Sequence, residues 1–402
     1  MKILTVGETP CINSGFANVL RTLNKYFIEQ GHEVRQLGWC HMPNQPNTYP
    51  YKIYPVLSPM GFENYFGVNI FDGIVEEYKP DIVFSLGDVY MLTWIPNMKT
   101  RNMFKWVLYT PIDSAPIPRR WQHALTDADQ VITYSKYGYE ELVKTGYRFK
   151  RDIKMYYHGF NTNEFYPLSE EEKKETRAKN QLEDKFIFGY VGTNSQRKDP
   201  ARLLETWSKF RTDKKDVVLI MHTKPVEERQ GYDLREAMMQ YNLLENDVIF
   251  SKGADPIGGI PIDDMNKLYN MLDVFVTTTN CEGFGLPFLE AAACGVPSIA
   301  VDYSSHRELL EGHGELVKPA AWIYHRTLCQ HRPLVDVDEF VEKMNKLYYD
   351  RKLLKEYSDK CIIFAKQFEW HNFLPHFTNT FDEIMNQTDL TNVAVKQHFV
   401  EV

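Results

Sequence analysis

Several features that would assign a function directly are missing from this chain of 402 residues. Its six cysteines form no C-x-x-C pair and no metal-ligand spacing, which argues against a disulfide framework or a structural zinc site. No window approaches the ~18 consecutive apolar residues of a membrane-spanning helix. The first ten residues, MKILTVGETP, lack the regions of a secretory signal peptide. We therefore expect a cytoplasmic protein with reduced thiols and no transmembrane segment.

An excess of basic residues is also missing, since 46 Lys and Arg stand against 54 Asp and Glu, for a net charge of -8. The overall charge thus indicates no polyanionic partner, and nucleic acid stays open but is not favoured. A basic set in the N-terminal half leaves peripheral contact with lipid headgroups or nucleic acid open, although scattered solvated positions are the simpler interpretation. The set comprises Lys99, Arg101, Lys105, Arg119, Arg120, Arg148, Lys150, Arg151 and Lys154.

Short apolar runs alternate with helical patterns along the chain. The run at 2–7 ends at a glycine, and apolar residues then recur at helical spacing from Phe16 to Phe27. A second run at 32–37 completes a βαβ unit. Continuous apolar runs of this kind are typical of buried parallel strands. Further strands are predicted at 81–86, 105–109, 130–134, 186–192, 217–221, 248–250, 274–276 and 297–300.

The charged segment 169–175 interrupts this pattern, which then restarts. We therefore predict an α/β protein of two tandem Rossmann-like, doubly wound domains, 1–168 and 169–371, with a helix at about 372–390 joining the first. Open α/β sheets bind ligands at the carboxyl ends of their strands, so we expect a cleft between the domains. The tail from Asp338 to Met385 should be mostly helical, with Asp338 as a cap. The aromatic stretch from Tyr49 to Phe66 is interpreted as a packed loop, with sugar or base stacking as the alternative.

The segment 280–295 contains the strongest candidate site. A predicted strand leads to Gly283 and Gly285, Pro287 suits the first turn of a helix, and Gly295 suits its end. Backbone amides and the helix dipole attract an anion at such an N-terminus, which predicts a phosphate site. The dinucleotide fingerprint is excluded because the third glycine of G-x-G-x-x-G is absent, and no G-x-x-x-x-G-K-[ST] motif occurs.

Charged residues surround this predicted phosphate site. Because phosphate would repel Glu282 and Glu290, we expect both to accept hydrogen bonds from sugar and ribose hydroxyls attached to the phosphates. Helix capping is the structural alternative for Glu290. Arg197 and Lys198 follow the predicted strand 186–192, where two cations would neutralise a leaving diphosphate. A solvated surface pair is the alternative for these two.

The spacing Glu282-x7-Glu290 resembles the E-x7-E motif of the retaining GT-B glycosyltransferases of family 4. The resemblance covers nearly the whole chain, because Ser14 and Gly15 are similar to the family's glycine loop and 158–167 to its interdomain signature. It implies two Rossmann-like domains and sugar transfer, hexosyl or pentosyl, from a nucleotide-diphosphate donor, UDP- or GDP-sugar, to a hydroxyl of a glycan, lipid or small molecule. It implies neither a cofactor nor a metal.

The resemblance also implies roles for single residues. Glu282 would orient the transferred sugar and Glu290 the ribose, while the loop around them and Gly192 would meet sugar and diphosphate; the loop comprises Gly283, Phe284, Gly285 and Leu286. Lys198 matches a family lysine, whereas Thr193 stands where the family has an arginine; Thr193 is still expected to bind the donor, as are Ser14 and Gly15. We infer that Arg197 supplies the missing charge.

Other positions indicate a function less specifically. Asp113 lies where many family members have a histidine, and we predict that it meets the donor sugar or the acceptor hydroxyl; a turn-forming Asp explains it equally well. His158 is interpreted as a buried histidine bonded to backbone. The Asp-x-Asp sequences at 127–129 and 336–338 are interpreted as structural, so no metal site is predicted.

Three other functions stay open at this point. One is a nucleotide-sugar 2-epimerase of the same fold, which needs no acceptor. Another is a catalytically silent nucleotide-sugar-binding protein, which the departure at Thr193 allows. The third is glycosylation of hydroxymethylated DNA bases, which would show as salt-sensitive DNA affinity.

Overall fold

The computed structural model describes residues 1–56, 66–254 and 259–386, and the chain divides into two compact units. Unit 1 comprises Met1–Gly159 and Trp370–Val402, and unit 2 comprises Phe160–Glu369. Unit 2 thus begins earlier than the boundary at residue 168 that the sequence suggests. The reason is that the backbone amides of Tyr166 and Leu168 donate to the side chains of Asn266 and Asn270, which belong to unit 2.

Unit 1 contains a parallel sheet with the strand order β3-β2-β1-β4-β5-β6-β7. Its strands are almost wholly buried, as their continuous apolar sequences predict. The elements in chain order are β1 (Lys2–Glu8), α1 (Gly15–Glu29), β2 (Glu33–Trp39), β3 (Lys52–Pro55), α2 (Val68–Tyr78), β4 (Ile82–Leu86), α3 (Val89–Leu92), β5 (Lys105–Tyr109), α4 (Gln122–Asp127), β6 (Gln130–Thr133), α5 (Lys136–Lys144) and β7 (Lys154–Met155).

Unit 2 contains a second parallel sheet, with the order β10-β9-β8-β11-β12-β13, and a separate antiparallel pair, β14-β15. The predicted strands of both units are present within a residue or two. The elements of unit 2 in chain order are α6 (Glu170–Lys179), β8 (Phe186–Val191), α7 (Pro200–Phe210), β9 (Val217–His222), α8 (Leu234–Gln240), β10 (Val248–Phe250), α9 (Ile262–Met271), β11 (Val274–Val276), α10 (Leu286–Ala293), β12 (Ser298–Val301), α11 (His306–Leu310), β13 (Glu315–Val317), β14 (Pro319–His325), β15 (Gln330–Val335), α12 (Val337–Tyr349) and α13 (Arg351–Ala365).

The last described element is helix α14 (Leu374–Asn386), which belongs to unit 1. The Phe381 ring packs against Phe27 of α1 at 5.1 Å and against Phe84 of β4 at 5.9 Å between centroids. This aromatic contact buries the apolar face of the helix on the first sheet. The last residues of the predicted helix at about 372–390 lie outside the described residues.

Two local interpretations of the sequence were wrong. The aromatic sequence around Lys52 favours a loop, but Lys52–Pro55 forms edge strand β3, because Ile53 and Tyr54 bury their side chains beside β2. The part of that aromatic stretch at 57–65 lies outside the described residues. The cap of α12 is Asp336 rather than Asp338, since the Asp336 carboxylate accepts the amides of Asp338 and Glu339 at 3.0 Å each.

Candidate functional site

The order of the strands in unit 2 places the candidate site. Strand β8 pairs with β9 on one side and with β11 on the other, so the chain winds in opposite directions from β8. The loops that follow β8 and β11 therefore diverge at a topological switch point, where open α/β sheets bind ligands. The first loop carries Arg197 and Lys198, and the second carries Glu282.

These three side chains form one ionic cluster. The Arg197 guanidinium donates to Oε2 of Glu282 at 2.8 Å and to the carbonyl oxygen of Cys281 at 2.6 Å. The Lys198 ammonium forms an ion pair with Oε1 of the same carboxylate. The side chains of Glu282, Lys198 and Arg197 are 11%, 13% and 31% exposed. Arg197 and Lys198 are thus a partly buried pair that shares one carboxylate, and the interpretation as a solvated surface pair is wrong.

The charges of this cluster follow from its surroundings. Burial by itself would raise the pKa of Glu282, but Arg197 and Lys198 outweigh it and lower that pKa to about 2. Burial lowers the pKa of the Lys198 ammonium. Two cations around one carboxylate leave a net positive charge, which a diphosphate would complement.

Hydrogen bonds from neighbouring loops hold Glu282 in place. Its backbone amide donates to Oγ of Ser304 at 3.0 Å, and the Ser305 hydroxyl donates to its carbonyl oxygen at 3.0 Å. The amide of Asn280 donates to the carbonyl oxygen of Arg197 at 2.9 Å, which ties the two loops together. Sequence reasoning missed both serines, and their only signal is their place between strand β12 and helix α11.

The glycine turn before α10 has the predicted form. Gly285 has φ +109°, and a Cβ there would lie 2.6 Å from the ring of Phe288, so this position accepts only glycine. The helix begins at Leu286 with Pro287 in its first turn, and Gly295 ends it with φ +75°. The first amides of a helix have no intrahelical partner, so this turn presents donors beside Glu282.

Glu290 lies in the same helix. The Tyr269 hydroxyl of α9 donates to its Oε2 at 2.6 Å, so a side chain of another helix engages this carboxylate. Burial raises the pKa of Glu290 to about 7. Tyr269 is fully buried and was not singled out from the sequence, because an aromatic residue in a helix is usually core.

The loop after β8 starts at Gly192, whose amide donates to the carbonyl oxygen of His222 at 3.2 Å. A Cβ at this position would lie 2.8 Å from the Tyr190 hydroxyl. The next residue, Thr193, is exposed, and its carbonyl oxygen accepts from Tyr190 at 3.3 Å. Arg197, rather than this position, brings a cation to Glu282.

The remaining candidates belong to unit 1. Ser14 caps α1 by accepting the amide of Ala17 at 3.0 Å and donates to the Glu8 carboxylate, and Gly15 is the exposed first residue of that helix. Asp113, in the loop after β5, accepts from the Ser114 hydroxyl at 2.7 Å. These contacts are compatible with the structural alternative for Asp113, and its role in binding stays a prediction.

Two interpretations from the sequence meet different outcomes in unit 1. His158 is buried as expected, its Nδ1 lies 2.8 Å from the Tyr109 hydroxyl, and its ring centroid lies 3.9 Å from that of Tyr134, while its bond to backbone stays a prediction. Burial lowers the pKa of His158 to about 3. The Asp-x-Asp at 127–129 is structural as expected, since both carboxylates bind Arg101.

The described residues offer neither a metal site nor a membrane span. They contain no cluster of three or more His, Cys, Asp and Glu side chains placed to hold a metal ion. Nor does any helix among them combine the length and the apolar character needed to cross a bilayer.

The sequence of this chain is similar to a known family and to individual known proteins. Residues 172–367 match the family model described as Glycosyl transferases group 1. The chain is similar to O-antigen chain mannosyltransferase B of Escherichia coli, with 24% identity over 68% of this chain and 66% of that protein. It is also similar to the putative glycosyltransferase EpsD of Bacillus subtilis, with 25% identity over 64% and 59%. The chain thus spans about two thirds or less of the length of these relatives.

Solved structures show the fold. The sucrose-phosphate synthase of Thermosynechococcus elongatus superposes with a TM-score of 0.76 and 18% identity, over 96% of this chain and 99% of that one. Anabaena Alr3699/HepE, solved in complex with UDP and glucose, superposes with a TM-score of 0.71 and 18% identity, over 95% and 100%. At 18% identity, the similarity to these two structures shows the fold alone.

Proposed function

From the premise that residues 172–367 form a Glycosyl transferases group 1 domain in a chain of GT-B fold, we propose that the protein is a retaining glycosyltransferase. It moves a sugar from a nucleotide-diphosphate donor to a hydroxyl acceptor. The observation that carries this proposal is the cluster of Arg197, Lys198 and Glu282, which two loops bring together at the switch point of the second sheet.

The cluster supplies what diphosphate departure needs. As the bond between the sugar and the phosphate oxygen breaks, negative charge grows on the diphosphate. Arg197, Lys198 and the amides of residues 284–286 are preorganised donors for that charge, and one such donor is typically worth ~10²–10³ in rate. Glu282 turns its carboxylate toward the hydroxyls of the transferred sugar, and Glu290 does so toward the ribose.

Retention then needs no side chain as a base. The acceptor oxygen bonds to the anomeric carbon on the face that the diphosphate leaves, and the acceptor proton passes to an oxygen of the departing phosphate. Ser14, Gly15 and Asp113 remain predictions for the part of unit 1 in binding donor or acceptor.

The relatives suggest where to look for the donor and the acceptor. One is named an O-antigen chain mannosyltransferase, and one solved neighbour holds UDP and glucose. We therefore propose a hexose donor, either a GDP-linked mannose or a UDP-linked glucose, and a glycan acceptor.

The test measures nucleotide release from UDP-glucose and GDP-mannose. Lys198→Met should lose at least about 100-fold in turnover, because a buried cation facing the diphosphate is removed. Lys343→Met is the matched control, since Lys343 pairs at 3.1 Å with another buried carboxylate of unit 2, Glu315. Wild-type turnover in Lys198→Met would refute the site. Donor binding without release in the wild-type protein would favour a binding protein instead.

The inferred role of Arg197 has its own test. Arg197→Ala should lower turnover by about 10–100-fold, and adding Thr193→Arg should restore part of it, because the cation returns to the loop from another position. If the double variant recovers nothing while both variants bind nucleotide, Arg197 has a different role.

A further inference from the structure

The antiparallel hairpin of β14 and β15 exposes large apolar side chains. Trp322, Ile323 and Tyr324 are 51%, 40% and 57% exposed. Side chains alternate along a strand, so Trp322 and Tyr324 lie on one face of the hairpin and Ile323 on the other. Three consecutive apolar side chains of β14 therefore meet solvent, and contiguous exposed apolar groups of this kind mark interaction sites.

The hairpin is nonetheless well ordered by its contacts. At the base of the hairpin, the amide of Asp336 donates to the carbonyl oxygen of Lys318 at 3.1 Å. At its turn, the amide of Cys329 donates to the carbonyl oxygen of His325 at 2.7 Å. The Trp322 ring lies edge-on to Tyr303 at 5.0 Å between centroids. The exposed side chains are thus presented on a defined element.

Charge sets this segment apart from the rest of the chain. Residues 316–335 contain no Asp or Glu, in a protein whose net charge is -8. The same stretch contains three cations and two histidines, namely Lys318, Arg326, Arg332, His325 and His331. Lys318 and Arg326 are exposed, whereas Arg332 is buried, so Lys318 and Arg326 are the cations of this stretch that can meet an anionic surface. The flanking acidic residues are engaged elsewhere: Glu315 pairs with Lys343 and Asp336 caps α12.

We propose that this hairpin docks the protein on the surface of an anionic lipid bilayer. Trp and Tyr prefer the boundary between headgroups and acyl chains, and Lys and Arg near the surface are attracted to anionic headgroups. A ligand that stacks on one face would leave Ile323 in water, whereas the boundary of a bilayer can take up apolar side chains from both faces of the exposed strand β14. The inference does not depend on the proposed reaction.

Vesicle sedimentation tests the proposal. The full-length protein should sediment with vesicles of equal parts phosphatidylcholine and phosphatidylglycerol, and far less with phosphatidylcholine alone. Combined Trp322→Ser, Ile323→Ser and Tyr324→Ser should weaken binding at least tenfold. Arg326→Gln should weaken it severalfold at low salt and less at high salt, because salt screens the attraction.

A matched control removes exposed apolar groups elsewhere in unit 2. Met239 and Leu244 are both well exposed, and Met239→Ser with Leu244→Ser should bind vesicles like the wild type. An unchanged thermal transition would show that the hairpin variant is folded. Absence of wild-type binding, or equal binding by wild type and hairpin variant, would overturn the proposal. So would a wild-type dimer that the triple variant dissociates, since the face would then contact a second copy.

Discussion

Replacing Glu282 by Gln should destabilise the protein and yet strengthen its response to nucleotide. The carboxylate now neutralises Arg197 at 2.8 Å and the buried Lys198, and its removal leaves two cations side by side. Lowering the Glu282 pKa from 4.5 to about 2 corresponds to about 3 kcal/mol of favourable interaction. Burial of Lys198 opposes its charge, so we expect a loss of about 2–3 kcal/mol in the free energy of unfolding.

The melting temperature should report this loss. A loss of this size lowers the melting temperature by about 4–12 °C for a unit of this length. The effect depends on pH with a definite sign. Because the folded pKa lies below 4.5, the stabilisation is present above pH 4.5 and is lost as the pH falls toward 2. The difference between the wild type and the variant should shrink in that window.

Added nucleotide supplies the second measurement. A bound diphosphate returns negative charge to Arg197 and Lys198, so UDP or GDP should raise the melting temperature of Glu282→Gln more than that of the wild type. Ligand at 100 times its dissociation constant adds about 2.7 kcal/mol, and tenfold tighter binding adds about 1.4 kcal/mol more. Thermal-shift assays at equal nucleotide concentration resolve this difference.

Glu315→Gln is the matched control for this experiment. Glu315 is also a buried carboxylate of unit 2 held by two lysines, Lys343 at 3.1 Å and Lys346, and by the Tyr357 hydroxyl at 3.0 Å. Its loss should lower the melting temperature without changing the nucleotide response. The inferred balance of charge around Glu282 is refuted if Glu282→Gln melts like the wild type, or if its response to nucleotide is no larger than that of the wild type or the control.

Further predictions concern the carboxylate of Glu290 and the imidazole of His158. Tyr269→Phe removes the hydroxyl that holds Glu290 and keeps the ring, so steady-state kinetics should show a donor KM raised about threefold to tenfold and a kcat close to wild type. Since the pKa of Glu290 is raised to about 7, nucleotide affinity measured by calorimetry should increase as the pH rises through 7 and the carboxylate forms; affinity independent of pH there would contradict its role. The folded pKa of His158 is about 3, so the unfolded chain takes up a proton below pH 6.5 that the folded protein does not. Stability should therefore fall by up to about 1.4 kcal/mol per pH unit below 6.5, and His158→Asn should flatten that slope in urea unfolding.

Local sequence patterns were enough to predict most strands of the two parallel sheets. Runs such as Phe186–Val191 and Val274–Val276 are apolar throughout because parallel strands are buried on both faces, and that requirement is written into each run separately. The turn at Gly285 and the end of α10 at Gly295 were equally visible, because a positive φ restricts the choice of residue at one position. The motif with Glu282 and Glu290 could be located for the same reason.

Elements that depend on distant partners could not be found this way. Strand β3 is short and contains Pro55 as its last residue, and only its pairing with β2 makes it a strand. The hairpin of β14 and β15 exposes apolar residues on both faces, so it carries no pattern of burial to detect. Both Asp336 and Asp338 are suitable residue types for the cap of α12. Only the geometry shows that the carboxylate of Asp336 accepts the helix amides.

The sequence by itself determined which residues lie at the ends of the strands, since the order of strands, loops and helices follows from local hydrophobic pattern and turn chemistry. Only the tertiary structure decided that Arg197 reaches the same carboxylate as Lys198, that Ser304 and Ser305 hold Glu282, and that Tyr269 engages Glu290. These contacts join segments far apart in the chain, and their geometry is set by how strands and helices pack rather than by any neighbouring residue.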